Sequence, residues 1–197
     1  MNRISQIDPT LVTGKASHLL EAVRSKLGMV PNLFRVLANS PDALDGYLKL
    51  SGALSTGILD NKVREQIALA VAEINKCDYC LSAHTALGGL AGLSEDDIMK
   101  ARRSSSSDLR TDAILKLARA IVIQRGEISS TDFESARAAS LSDAEIVEIV
   151  LNVTVNILTN YINHVAQTVI DFPEVRAGVD GSDFSTCNSE TCGCGGA

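Results

Sequence analysis

Basic charge is scarce in this chain of 197 residues: 24 Asp and Glu outnumber 18 Lys and Arg, for a formal charge of −6. Nucleic acids and anionic membrane surfaces demand clustered Lys and Arg that displace counterions. No such cluster occurs, so neither partner is expected. Long apolar runs are missing too. No stretch approaches the ~20 apolar residues of a bilayer span. The start, MNRISQIDPTLVTGKASHLLEAV, has neither an apolar signal-peptide centre nor a small-residue cleavage site, so a cytoplasmic location is expected. Period-two alternation of β-branched residues, the mark of a half-buried strand, is hard to find. What is present is 45% hydrophobic residues, enough for one sizeable core or two small ones.

Up to about residue 170, apolar residues recur at helical spacing between cap and turn residues, which predicts an all-α fold. Start signals stand at Ser40-Pro41, Ser94 with Asp97, Thr131 with Glu134, and Ser142 with Glu145, the last three at capping-box spacing. Helices are expected over 16–27, 32–38, 42–55, 61–75, 78–90, 95–102, 109–125, 132–139 and 143–169. The Ser104–Ser107 run is the best linker candidate between a front half carrying the chemistry and a back half that packs, although the lengths suit a single domain equally. Beyond Pro173 the composition turns to Gly, Ser, Thr, Asp and Cys, too polar to hold itself in a fold. The expected organisation is a helical domain over 1–175, with a catalytic core at about 40–100, and a flexible tail over 176–197.

Five cysteines in a reducing compartment are poor candidates for structural disulfides and point to redox chemistry or metal binding. They fall in two groups, Cys77 with Cys80, and Cys187, Cys192 and Cys194. In REQIALAVAEINKCDYCLSAHTALGG, the segment IALAVA reads as a fully buried helix and Asn75-Lys76 as its polar end. A second helix should begin near Asp78, a good N-cap. Cys80 then lies in a first turn, where free backbone NH groups and the helix dipole favour a thiolate. Spacings of three and four residues place Cys77, Cys80 and His84 on one helix face, with the imidazole in reach of the Cys80 sulfur. A dithiol needs this proximity, because once one sulfur is oxidised the second must attack it. The same pair is also half a zinc site. With His84 it offers three of four tetrahedral ligands, and Cys187 or another tail thiol would be the fourth, although a second nearby ligand pair is missing.

At these residues the chain resembles the AhpD-like alkylhydroperoxidase and carboxymuconolactone decarboxylase superfamily. The pattern of its peroxidase branch, Glu, eleven residues, Cys-X-X-Cys, three residues and His, falls on Glu65, Cys77, Cys80 and His84 without insertion. KLGMVPNLFRVLANSPDALDGYLKL and NHVAQTVIDFPEV extend the likeness over roughly residues 20–175. The resemblance implies an all-helical bundle assembling into trimers or hexamers. It implies peroxide reduction by the cysteine pair, regeneration by a dithiol donor or a thiol-bearing adaptor protein, and no haem, flavin or metal cofactor. It assigns peroxide attack to Cys80, resolution to Cys77, and a proton relay to Glu65 and His84. A further His or Tyr stands between the cysteines in that family, and Tyr79 holds the place here. The decarboxylases of the superfamily lack the cysteine pair.

Several residues carry two readings. Without the family pattern Glu65 would be a solvated carboxylate; buried beside His84, it would feel burial and imidazolium pulling its pKa in opposite directions. Glu73 could touch Cys77 but more simply faces water, and Tyr79 either packs its ring or moves protons. His18 sits in an amphipathic helix as a partly exposed structural residue. Shifting the chain by 80 positions lays Glu145, Ile157, Asn160 and His164 on Glu65, Cys77, Cys80 and His84. That register suggests a degenerate repeat, with 108–170 packed on 40–100 as two pseudo-symmetric helical units. Asn152, Asn156, Asn160 and Asn163 form a polar stripe read as an oligomer interface or loop anchor, with a catalytic water network as the lesser reading.

The tail thiols Cys187, Cys192 and Cys194 suit a dithiol relaying electrons to the Cys77–Cys80 disulfide, a trap for soft ions, or an end with incidental thiols. The function these residues favour is a thiol peroxidase or disulfide reductase acting on organic hydroperoxides. Its rivals are a soft-metal or metalloid binder using Cys77, Cys80, His84 and the tail, and a redox-sensing oligomer that barely turns over.

Overall fold

Side chains that satisfy free backbone NH groups punctuate this chain and start most of its helices. The computed structural model describes residues 2–179. Among them it has α1 Gly14–Leu27, α2 Asn32–Leu37, α3 Pro41–Leu54, α4 Asn61–Ile74, α5 Asp78–Leu90, α6 Glu95–Arg102, α7 Leu109–Ile123, α8 Ser130–Ala138 and α9 Asp143–Ala166, with no strand. Ser40, Asp60, Ser94, Asp108, Ser129 and Ser142 each accept a hydrogen bond from the backbone NH three residues on, a contact worth ~1 kcal/mol. The expected capping boxes at Ser94 with Asp97 and Ser142 with Glu145 are present. The one expected at Thr131 is not. Ser129 caps α8 and Asp132 accepts its hydroxyl, while Thr131 lies inside the helix with its carbonyl taken by Ser135.

The architecture is an all-α bundle around α4, as the hydrophobic pattern predicts. Residues 67–72 of α4 are almost wholly buried, because α5, α6, α7 and α9 pack around it. Since α7 and α9 come from the back half of the chain, both halves share one core. The Ser104–Ser107 run is accordingly a tight corner rather than a linker. Ser104 is buried with φ +54°, and the Ser106 NH donates to Asp112.

The 24-residue α9 bears on two expectations. By length and mean hydropathy, 1.2 over its best window, it is long and apolar enough to cross a membrane, although Glu, Asn and Thr interrupt every apolar run in it. Here it packs on α3, α4, α5 and α7. Its asparagines face inward rather than toward another subunit: Asn152, Asn156, Asn160 and Asn163 are all buried. Asn152 and Asn156 return their amides to the carbonyls of Glu148 and Asn152, and Asn160 accepts from Asn75. Val147, Leu158, Tyr161 and Val165, on the other side, are exposed.

The proposed repeat is absent. The α4–α5 segment folds back on itself at Asn75-Lys76, whereas its counterpart 80 positions on runs through Ile157 and Asn160 as one continuous helix. Glu145 is occupied by its capping box and by Arg110 at 2.7 Å. His164 donates from Nε2 to the Asn75 carbonyl, closing the end of α4 from outside.

Past Pro173 the chain does not leave the domain at once, contrary to the expected start of the tail. Residues 174–179 form a strap over the first turn of α5 and the end of α4. The Val175 NH donates to Ser82 Oγ, the Ala177 NH to Asp78 Oδ1, and the Gly178 and Val179 NH groups to Glu73 Oε1. Arg102 ties the strap further, through the Arg176 carbonyl at 2.6 Å.

Candidate functional site

The site grows from the corner between α4 and α5. Asn75 ends α4, Lys76 turns into the left-handed region at φ +54°, and the Cys77 NH reaches back to the Ala72 carbonyl. This is a Schellman closure made with Lys where Gly is usual. The next helix starts without a spare residue. Cys77 is itself the N-cap of α5, its sulfur accepting from the Cys80 NH at 3.4 Å. Asp78, the expected cap, is the first helical residue instead, and its carboxylate holds the strap at Ala177. Both cysteines are therefore fixed by backbone geometry on either side of one turn.

Their sulfurs lie 2.6 Å apart, with the Cys77 thiol donating to Cys80. Only a small approach separates that distance from the ~2.05 Å of a disulfide. Both side chains are buried. From α9, Asn163 Nδ2 donates to Cys80 Sγ at 3.3 Å. Burial pushes the Cys80 thiol up, but the Cys77 hydrogen bond, the charge on His84 and the amides of Asn163 and Asn160 outweigh it and bring its pKa down to about 7. Cys77 moves the other way, because sharing its proton with Cys80 and its own burial both favour the thiol. The pair is thus split into a thiolate at Cys80 and a proton-bearing thiol at Cys77.

His84 lies one turn beyond Cys80 on α5. Its Nδ1 is 2.8 Å from Glu65 Oε2 on α4, and both side chains are largely buried. Burial alone would lower the imidazole pKa; the charge and hydrogen bond of Glu65 and the charge of Cys80 overcome it, so the net shift is upward. A protonated His84 between two anions is the electrostatic complement of a Cys80 thiolate. Gly88 contributes to this approach of α4 and α5. A Cβ there would stand 3.1 Å from Leu93 Cδ1 and 3.9 Å from Glu65 Cβ.

The structure thus brings together Cys77, Cys80, His84 and Glu65. Tyr79 takes the packing alternative. Its hydroxyl accepts from the Leu33 NH at 3.0 Å, its ring meets Phe172 edge to face, and burial, the largest influence, raises its pKa. Glu73 does not face water: its side chain is 10% exposed, paired with Arg102 at 2.8 Å, and occupied by the strap. His18 is exposed on α1. Cys187, Cys192 and Cys194 lie outside the described residues.

Among the described residues no three His, Cys, Asp or Glu side chains converge as metal ligands, so the metal-binding alternative would need the tail thiols. A cavity of about 260 Å³ between α7 and α8, lined by Asp112, Lys116 and Asp132, includes none of the predicted residues. The sequence reading did not connect Asn163 with the thiols, and it missed Gly88. Asn163 was visible only as part of the polar stripe, and Gly88 only as one of the glycines ending ALGG.

Residues 41–124 match the sequence model of the Carboxymuconolactone decarboxylase family. Over 45 residues the chain is 49% identical to an uncharacterized protein of Haemophilus influenzae, a match covering 22% of this chain and 40% of that protein. The chain thus spans about two fifths of that curated relative's length. A peroxidase-related protein from Silicibacter sp. TM1040 superposes with TM-score 0.73 and 28% identity, over 85% of this chain and 89% of that one. An alkylhydroperoxidase AhpD core, a peroxidase-related protein from Ralstonia eutropha JMP134, gives TM-score 0.75 and 24% identity over 86% and 92%. The debrominase Bmp8 in complex with 2,3,4-tribromopyrrole shares the fold, with TM-score 0.72 and 16% identity over 87% and 94%. The fold therefore carries enzymes, and more than one chemistry.

Proposed function

We propose that this chain, which is similar to the AhpD-like carboxymuconolactone decarboxylase superfamily over residues 41–124, is a thiol-dependent peroxidase that reduces organic hydroperoxides through Cys77 and Cys80. The observation that carries this reading is the asymmetric thiol pair, with sulfurs 2.6 Å apart beside the Glu65–His84 pair. The Cys80 thiolate attacks the outer peroxide oxygen, giving a sulfenic acid, and the departing alkoxide takes the proton of the His84 imidazolium. The now neutral His84 takes the Cys77 proton, the Cys77 thiolate attacks the Cys80 sulfur to close the disulfide, and the departing hydroxide takes that proton and leaves as water. Glu65 steadies the imidazolium through both steps. A dithiol donor returns two electrons and two protons to reopen the pair.

The test is consumption of an organic hydroperoxide by the full chain with a small dithiol donor, together with the metal content of protein purified without added thiol. Catalytic consumption by metal-free protein is expected. Absence of turnover together with a stoichiometric bound soft ion would move the function to metal handling.

Tyr79→Phe separates packing from proton transfer. The substitution leaves the buried Leu33 NH without its partner, at a cost of about 1–3 kcal/mol. The melting temperature should fall while hydroperoxide turnover per folded molecule stays within about twofold. A loss of ~10²-fold or more, the scale of a missing proton donor, would return Tyr79 to the relay.

A further inference from the structure

The buried asparagines of α9 are not alike. Asn152 and Asn156 spend their amides within the helix, on the carbonyls four residues back. Asn163 does not. Its Nδ2 is committed to Cys80 Sγ at 3.3 Å, and its Oδ1, borne on the same carbon, is buried and receives no hydrogen bond among the described residues. The residue is 5% exposed. Asn160, one turn earlier on the same face, is fully buried, with its Oδ1 accepting from Asn75 at 2.8 Å. Its Nδ2 has no hydrogen-bond partner of ordinary geometry, and that amide helps to hold the Cys80 pKa down. Donors thus face the sulfur from both residues, and one acceptor beside it is left over.

A leftover acceptor is unfavourable here on two counts. Buried and unpaired, it carries its full desolvation cost, and protein interiors keep few such groups. Beside a thiolate, its lone pairs also face a negative charge. Both costs are relieved by a molecule that brings a proton to Oδ1. The substrate of the proposed reaction brings one in the right place. A hydroperoxide, R–O–O–H, has its only donor on the outer oxygen, the atom that Cys80 attacks. A primary amide offers a donor and an acceptor side by side, so Nδ2 on the sulfur and Oδ1 on the O–H flank the line along which the new S–O bond forms.

We infer that Asn163 Oδ1 is the docking acceptor for the outer O–H of a hydroperoxide, and afterwards for the hydroxyl of the sulfenic acid formed at Cys80. The inference rests on the peroxidase reading, which supplies the substrate. In the step, a sulfur electron pair of the Cys80 thiolate forms the S–O bond, the O–O bond breaks, and the alkoxide leaves with the His84 proton. The proton on the outer oxygen does not move. It passes from hydroperoxide to sulfenic acid on the same oxygen, bonded to Asn163 throughout. The amide therefore presents the outer oxygen rather than the inner one to the sulfur, a matter of orientation before any chemistry. It also selects hydroperoxides over dialkyl peroxides, which have no proton to offer and would leave Oδ1 unpaired.

The test sets two reagents against one sulfur. The fully reduced full chain is treated in separate runs with ethyl hydroperoxide and with iodomethane, a compact electrophile that has no hydroxyl, and loss of the free Cys80 thiol is followed by peptide mass spectrometry after quenching. Both reagents consume the same thiolate, so the ratio of their rate constants cancels any change in the Cys80 pKa. In Asn163→Leu, similar in shape but without the acceptor, the hydroperoxide-to-iodomethane ratio should fall at least about tenfold. Asn163→Ala removes the same acceptor without adding bulk and should lower the ratio likewise, which keeps the test open if the leucine variant does not fold. Asn163→Asp retains an oxygen acceptor and should hold the ratio within about threefold of the natural chain. A ratio unchanged in the leucine and alanine variants, as for an amide that only fills space, would overturn the docking role and leave the peroxidase reading intact. A natural chain whose Cys80 is methylated by iodomethane but not oxidised by the hydroperoxide would remove the peroxidase reading and the docking role with it.

Discussion

Cys80→Ser is expected to reduce hydroperoxide turnover to background, a loss on the order of 10³-fold or more, as for removal of a covalent nucleophile. Cys77→Ser should behave differently. The Cys80 thiolate remains, so one equivalent of hydroperoxide is still reduced before the cycle stalls at a sulfenic acid that no neighbour resolves. Both variants should fold. Serine is a good N-cap at position 77, where the natural sulfur already accepts the Cys80 NH, and a hydroxyl in place of the Cys80 thiol is nearly isosteric in the first turn. The pair of measurements separates the two roles: a one-equivalent burst in Cys77→Ser and none in Cys80→Ser. A burst in Cys80→Ser and none in Cys77→Ser would exchange their assignments.

The second large effect comes from Glu65→Gln. The carboxylate is what offsets the burial of His84 and keeps its pKa raised; without it, burial favours the neutral imidazole. Loss of the imidazolium withdraws one of the influences that lower Cys80 to about 7, so the Cys80 pKa moves up. The sign in the rate follows. In the natural chain the second-order rate of thiol oxidation should rise with pH through about 7 and level off above it. In Glu65→Gln the rise should move to higher pH by about one unit, making reaction at neutral pH about fivefold slower. Stopped-flow mixing with hydroperoxide across pH reads this directly. An unmoved midpoint would mean that Glu65 only packs against α5.

The same residues explain how much of the molecule was legible beforehand. Helix spans followed from periodicity and caps, both local properties, and came within a few residues at each of the nine helices among the described residues. The thiol site was readable because Cys77, Cys80 and His84 sit within a turn or two of one another, where spacing dictates proximity. Glu65 needed the family pattern, since its pairing with His84 crosses from α4 to α5.

What failed depended on contacts between distant segments. Asn163 meets Cys80 across 83 residues, and Glu73 meets Gly178 across 105; no local spacing announces either. Glu73 looked like a solvated helix-end carboxylate because the strap and Arg102, which bury it, lie elsewhere in the chain. The false repeat arose from the opposite error. Matching residue types at a register of 80 ignored the left-handed turn at Lys76, which breaks α4 from α5 and has no counterpart in the continuous α9.

The most direct test of the central claim is the stoichiometry of a single turnover. Fully reduced chain carrying serine at Cys187, Cys192 and Cys194 is mixed with limiting organic hydroperoxide, and the thiols lost are counted against alcohol formed. The account predicts two thiols lost per alcohol, both recovered as one disulfide between Cys77 and Cys80. Alcohol formed with those two cysteines still reduced, or no alcohol formed at all, would contradict it.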